Sequence, residues 1–226
     1  MDKRLRTTFW IWAFAGTNLL WISLVVAAFF YRSVRDRRDY VNAPESNPQY
    51  EDRMNLFSLA DQRWSGPVDV LFLGDSHTQR GLFSEFYPDL RVVNRGIGSD
   101  TTDGILLRID EALKFYPKKL VLLVGGNDRG FGASVDHYMQ NVGKIVDRIK
   151  RISPKTKIAV VSPMPASEPN EWQKKVHHEL KEFANVNNVE YIGVYDEFSR
   201  GGGESKTVSI SIRLDMKSCS SIMMRS

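Results

Sequence analysis

The sequence predicts an α/β protein with three layers, α/β/α, around a five-stranded parallel sheet, preceded by one transmembrane helix. Three observations predict it. Short apolar runs alternate with longer amphipathic segments through residues 67–198, the order that βα units give. The runs are nearly continuous in Val, Ile and Leu, as in strands buried on both faces. Ahead of them, Phe9 to Tyr31 is a stretch of 23 residues without a charge.

Residues 1–8 form a basic flank and 9–31 the membrane span. At about 1.5 Å per residue a helix of that length covers roughly 34 Å, enough for a hydrocarbon core of about 30 Å. A cleaved signal peptide is the competing reading, but its apolar region is about 7–15 residues and ends at an A-x-A-like site. Here Ala27-Ala28 runs into Phe29-Phe30-Tyr31. Trp10, Trp12 and Tyr31 fall where interfacial aromatics hold a span. Lys3, Arg4 and Arg6 precede it and Arg32, Arg35, Arg37 and Arg38 follow, so charge counting chooses no orientation. Seven Lys/Arg stand against three Asp/Glu in residues 1–40, which accounts for the whole net charge of +4, and the other 186 residues carry 24 of each sign. The basic balance belongs to the membrane flanks, and no nucleic-acid partner is expected. The one cysteine, Cys219, excludes an intrachain disulfide framework.

Residues 32–66 read as a polar linker with Pro44 and Pro48. Its second part, Tyr50 to Trp64, is predicted as a short amphipathic helix with Leu56, Phe57, Ala60 and Trp64 on one face and Met54 and Leu59 at its margins. After Gly66-Pro67, the first strand is Val68–Leu73 and the second Arg91–Asn94. Thr101–Phe115 reads as a helix with Ile105, Leu106, Ile109 and Leu113 on one face. Leu120–Val124 is a third strand. Ser134–Ile152 is a helix capped by Ser134, with Val135, Tyr138, Val142, Ile145, Val146 and Ile149 inward. Ile158–Val161 is a fourth strand, Glu171–Asn187 a helix and Val189–Tyr195 a fifth strand. No internal repeat is present.

Functional residues of open parallel sheets gather at the carboxyl ends of the strands. Three segments stand there in succession: Gly74-Asp75-Ser76-His77, Asn94-Arg95-Gly96-Ile97-Gly98-Ser99-Asp100-Thr101, and Gly125-Gly126-Asn127-Asp128. Any one of them is what a strand-to-helix turn prefers. Together they suit acyl transfer: a serine hydroxyl beside a helix N-terminus, with backbone N–H groups and an Asn127 amide as oxyanion donors. Gly96-x-Gly98 lacks the third glycine of a dinucleotide loop. The G-x-S-x-G elbow is absent as well. No metal or organic cofactor is implied.

On these motifs the chain resembles the SGNH/GDSL hydrolases over residues 50–198, especially the platelet-activating-factor acetylhydrolase-like and lysophospholipase-like branches. Gly74-Asp75-Ser76 is similar to the first block of that family, Asn94 to Thr101 to the second and Gly125-Gly126-Asn127-Asp128 to the third. The resemblance implies a flavodoxin-like SGNH fold and an ester hydrolase acting on a small acyl ester of a lipid or envelope carbohydrate. It makes Ser76 the nucleophile and makes the N–H of Ser76, the N–H of Ser99 and the amide of Asn127 the oxyanion hole. Gly74, Asp75, Gly96, Gly98 and Gly126 support the turns. Ser99 departs from the usual glycine, so its donor survives only in a conformation a serine tolerates. An anchored member commonly faces outward, so an extracytoplasmic domain is expected. An envelope O-acyltransferase would use the same residues, and a non-catalytic binding protein could retain the fold. Oligomeric state is not legible.

The family's last block, Asp-x-x-His, supplies the base and its orienting carboxylate, and it is missing. His137, His177 and His178 lie on predicted helices as solvated residues, and His77 is directed away from its neighbour Ser76. From Ser199 to Ser226 the chain is Gly-, Ser- and Met-rich without periodicity, an aberrant tail expected to be disordered. Reading each codon there as the third base of the preceding one plus its own first two allows Asp at Thr207, Gly at Val208, Leu at Ser209, His at Ile210, Leu at Ser211 and Asn at Ile212. It also allows Gly at Asp215 and Tyr at Met216, and it forces Glu at Lys217. The expectation is a frameshift near Arg200, with Thr207 and Ile210 standing where the catalytic Asp and His belong.

Overall fold

Short apolar strands form the predicted sheet in a computed structural model, which describes residues 18–32, 47–63, 66–164 and 170–194. They are β1 (Val70–Gly74), β2 (Val92–Gly96), β3 (Lys119–Leu123), β4 (Lys157–Val161) and β5 (Glu190–Ile192). All pairings are parallel, in the order β2-β1-β3-β4-β5. That is the doubly wound order whose direction of winding reverses between β1 and β3, the point at whose carboxyl edge sheets of this kind form their crevice. β1 and β3 are buried at every position.

Alternation along β1 divides the core. Leu71 and Leu73 pack with Ile105 and Ile109 of α5 (Thr102–Leu113), Ile145 and Ile149 of α7 (Val135–Ile152) and Leu180 of α8 (Glu171–Asn187). Val70 and Phe72 face the other way, where Phe83 of α4 (Phe83–Phe86) lies flat on Phe72 with ring centroids 3.6 Å apart. Of the two expected helical layers, the described residues supply α5, α7 and α8 on one face and α4 on the other.

The predicted Ser134 cap forms, and two more caps accompany it. Ser134 accepts from His137 N at the start of α7, Thr101 from Gly104 N at the start of α5, and Asn170 and Gln173 close a capping box on α8. Three single-turn helices were not predicted: α3 (Ser76–Gln79), α4 and α6 (Gly126–Gly130). They are too short to carry a hydrophobic period.

The linker helix α2 spans Tyr50–Asp61, and its predicted apolar face is corrected. Leu56 and Leu59 are exposed, and only Phe57 is buried. Its inward side is Arg53, Phe57 and Asp61, spaced four apart. Arg53 Nε donates to Gly96 O at 3.1 Å, and Arg95 of β2 ion-pairs with Asp61 while its guanidinium lies over the Phe57 ring at 4.6 Å. β2 is an edge strand, and α2 covers it with these contacts rather than with an aliphatic stripe.

The chain divides into two compact units, Met1–Asn42 and Ala43–Ser226. In the first, residues 18–32 form a helix, α1, exposed along its length, with Leu19, Trp21, Phe29 and Phe30 all outward. Among the described residues no helix is long and apolar enough to cross a membrane. Residues 9–17 of the expected span, Thr207, Ile210 and the rest of the tail lie outside the described residues.

Candidate active site

β1 delivers Ser76 to the crevice. Asp75 caps α3, its Oδ1 accepting from His77 N at 2.9 Å, so Ser76 is the first helical residue. Close packing forces Gly74: a Cβ there would stand 2.0 Å from Leu123 O and 2.4 Å from Thr78 Oγ1. Gly96 is required in the same way, since a Cβ would meet Gln79 N at 2.1 Å. Asn94 then ties α3 to β2, its Nδ2 donating to Thr78 O at 2.7 Å and Gly81 O at 3.1 Å while its Oδ1 accepts from Gly96 N.

The second segment turns tightly after β2. Ile97 N donates to Gly74 O at 3.0 Å and Asp100 N to Ile97 O at 3.2 Å. Gln79 Oε1 accepts from Gly98 N. Ser99 has φ 61, the left-handed region that a short polar side chain tolerates at a modest cost. The third segment follows β3, where Asn127 Nδ2 donates to Asp100 O at 2.8 Å. That bond joins the residue after Ser99 to the third segment, so the three segments meet at the β1/β3 crevice, as the sequence suggested.

Sequence reasoning missed what stands beneath. Arg108, buried on α5, donates from Nε and Nη2 to Asp100 Oδ2 at 2.8 and 2.7 Å, from Nη1 to Arg95 O at 2.8 Å and from Nη2 to Gly74 O at 3.1 Å. One guanidinium thus holds the ends of β1 and β2 and the second turn together. The signal was present in the sequence: Arg108 lies between Ile105 and Ile109 on the apolar face of the helix. Asp128 is buried as well, and Thr102 N donates to its two oxygens at 3.1 and 3.2 Å. Burial pushes the Asp75 carboxyl up to about 7, with Asp100 and Asp128 adding repulsion, and pushes Asp128 up to about 6. Asp100 is also raised by burial, against the pull of Arg108.

The histidines need two corrections. His137 is not simply solvated: its Nε2 lies 2.8 Å from Asp103 Oδ2 and 3.1 Å from Asn141 Nδ2, bridging α7 to α5. His177 pairs through Nδ1 with the Tyr191 hydroxyl, linking α8 to β5. Both are half-exposed and paired at contacts between elements, which helical periodicity alone did not reveal. His178 is exposed beside Glu182, as expected of a solvated face. His77 is lowered by burial and by Arg80. Among the described residues no hydrogen bond joins a histidine to Ser76, and no group of acidic, His or Cys side chains could hold a metal.

Residues 58–209 match the family model of the GDSL-like Lipase/Acylhydrolase family. The chicken (Gallus gallus) platelet-activating factor acetylhydrolase IB subunit alpha2 is 32% identical over 146 residues, 60% of this chain and 63% of that protein. Its rat (Rattus norvegicus) counterpart is 34% identical over 114 residues, 47% of this chain and 49% of that protein. The chain thus spans between about half and just under two thirds of these relatives' length. A GDSL-like lipase from Bacteroides thetaiotaomicron superposes with a TM-score of 0.57 at 20% identity, covering 64% of this chain and 78% of that one. A Streptococcus pneumonia structure provisionally described as a platelet activating factor gives 0.57 at 22%, covering 78% and 85%. At these identities the structural likeness establishes the fold.

Proposed function

The chain belongs to the GDSL-like lipase/acylhydrolase family, and on that premise we propose that it is a membrane-anchored serine esterase of impaired activity. The observation that carries the reading is the bond from Asn127 to the Asp100 carbonyl, which sets the third segment beside the second at the strand end that bears Ser76. Ser76 Oγ attacks the acyl carbonyl of a small ester on a lipid or envelope carbohydrate. The oxyanion is met by the N–H of Ser76, the N–H of Ser99 and the Asn127 amide, with no cofactor. Such donors are worth about 10²–10³ in rate apiece.

Impairment follows from the tail. The family match ends at residue 209, beside Ile210, where the Asp-x-x-His block is expected. A serine without its base loses several orders of magnitude in rate while the oxyanion hole retains some catalysis. The frameshift reading is tested by sequencing codons 198–217, and a frame that restores no Asp-x-x-His sinks it. Anchoring draws support from α1, whose apolar side chains are exposed along its length, a surface that water disfavours and lipid accepts. Its Ser23 hydroxyl donates back to Leu19 O at 2.8 Å, leaving no unmet donor there.

The test of the esterase reading is a fluorophosphonate probe on the full chain in micelles at long incubation. Slow labelling that vanishes in Ser76→Ala supports it, and no labelling of the native chain favours a fold-retaining binding protein. An acceptor assay with an acylated donor separates hydrolase from O-acyltransferase.

A further inference from the structure

Asn47 lies in the linker, and the family motifs do not reach it. It is nonetheless buried, at 4% exposure, and both ends of its carboxamide are hydrogen-bonded. Oδ1 accepts from Gln49 N at 3.0 Å, a local turn of the kind asparagine forms with its own backbone. That leaves Nδ2 to donate to Gly98 O at 2.6 Å, across 51 residues of sequence. Gln49 presses on the same turn: a Cβ on Gly98 would stand 2.3 Å from Gln49 Oε1. Arg53, one turn further along, holds Gly96 O.

The carbonyl that Asn47 holds belongs to the same peptide unit as the N–H of Ser99. No cis peptide occurs among the described residues, and in a planar trans unit the C=O and N–H point in opposite directions. Fixing the Gly98 carbonyl on the linker therefore aims the Ser99 N–H away from the linker. The neighbouring unit behaves in this way: Gly96 O is held by Arg53, and the Ile97 N–H of that unit points back to Gly74 O at 3.0 Å.

We infer that Asn47 is a positioning residue that aims the Ser99 oxyanion donor, so that the segment joining the N-terminal helix to the domain braces the site. The inference rests on the reading of Ser99 as a donor. It also explains how a serine can stand at φ 61, since the two linker side chains restrain the turn on both sides of Ile97.

Asn47→Asp is the informative variant. It keeps the shape and the acceptor for Gln49 N but loses the donor and sets a carboxylate against the Gly98 carbonyl, so the peptide must turn. The full chain in micelles is labelled with fluorophosphonate at several concentrations, and saturation separates probe affinity from the maximal rate. The expected result is a fall of about 10- to 100-fold in maximal rate with affinity unchanged, the scale of a misplaced or lost donor. An unchanged maximal rate overturns the inference. Asn47→Ala with a thermal melt guards against simple unfolding, since a folded variant with the same kinetic loss supports positioning. Independently, the Ser99 amide signal, assigned with Ser99→Ala in serine-labelled protein, shifts in Asn47→Asp. If the native chain does not label, the esterase reading fails and this signal alone decides, with an unmoved Ser99 amide overturning the placement.

Discussion

Replacing Arg108 by Met is expected to destabilise the domain by about 3 kcal/mol at pH 7 and by less than about 2 kcal/mol at pH 5. The change preserves bulk and removes four donated hydrogen bonds. Gly74 O keeps its bond from Ile97 N, so that acceptor is not orphaned. The main loss is at Asp100, 2% exposed, which retains only the Thr101 N–H at 3.0 Å. Breaking a buried pair costs about 3–5 kcal/mol because it leaves one charge unpaired. Protonation limits that cost: keeping an acid of ordinary pKa 3.8 neutral at pH 7 takes about 4 kcal/mol, and at pH 5 under about 2. The raised Asp100 pKa of the variant makes the penalty absent at low pH and growing as pH rises toward 7. Urea unfolding at both pH values measures it, and Asp100→Asn added to the variant should recover most of the loss at pH 7. A loss below about 1 kcal/mol at pH 7, or an equal loss at both pH values, refutes the reasoning. The exposed Arg148–Asp110 pair is the control, and Arg148→Ala should leave the midpoint where it is.

Asp75 offers a second pH test. Its folded pKa near 7 lies above the unfolded value, so the native state holds the extra proton and stability falls as pH rises from about 4 to about 7. Asp75→Asn keeps an acceptor for His77 N and should reduce that slope, leaving the parts due to Asp128 and Asp100; an unaltered slope speaks against a buried neutral Asp75. Ser99→Gly relieves the left-handed conformation and keeps the N–H, so labelling of Ser76 should continue at the native rate, whereas Ser99→Val costs about 1–2 kcal/mol from a branched side chain at φ 61. Gly96→Ala drives a Cβ into backbone at Gln79 and should abolish labelling by displacing α3, seen as lost Ser76 reactivity in protein that retains its helical signal.

The parts of this fold that repeat a period were legible. α8 occupies the predicted residues, and α7 and α5 begin one residue after their caps. Strand ends were not, because β1 stops at Gly74 where pairing with Leu123 and Gly96 stops, a tertiary fact that hydropathy does not carry. The strand-end turns that carry Ser76, Ser99 and Asn127 were legible in position, because turn residues after three successive apolar runs form a pattern. Arg108 and Asn47 act through contacts distant in sequence. Arg108 stands beside the apolar face of its helix, but the acceptors that bury it lie on other strands and turns, and Asn47 sits in a linker whose contact lies 51 residues away.

This distribution bears on what a disrupted C-terminus leaves behind. Bonds that place the three strand-end segments come from Asn47, Arg53, Asp75, Gln79, Asn94, Arg108 and Asn127, all N-terminal to β4. Parallel βα units make this possible, since each strand end is fixed by its neighbours and by the helix that follows it. On the proposed change of frame near Arg200, the proton acceptor would be lost while the geometry that it serves stays in place. Under that proposal the site would bind and slowly acylate but turn over poorly. Restoring the Asp-x-x-His frame should raise turnover by several orders of magnitude with little change in substrate affinity, because the base acts only in the transition state. A restored chain whose KM alone changed would show instead that the tail had shaped the pocket.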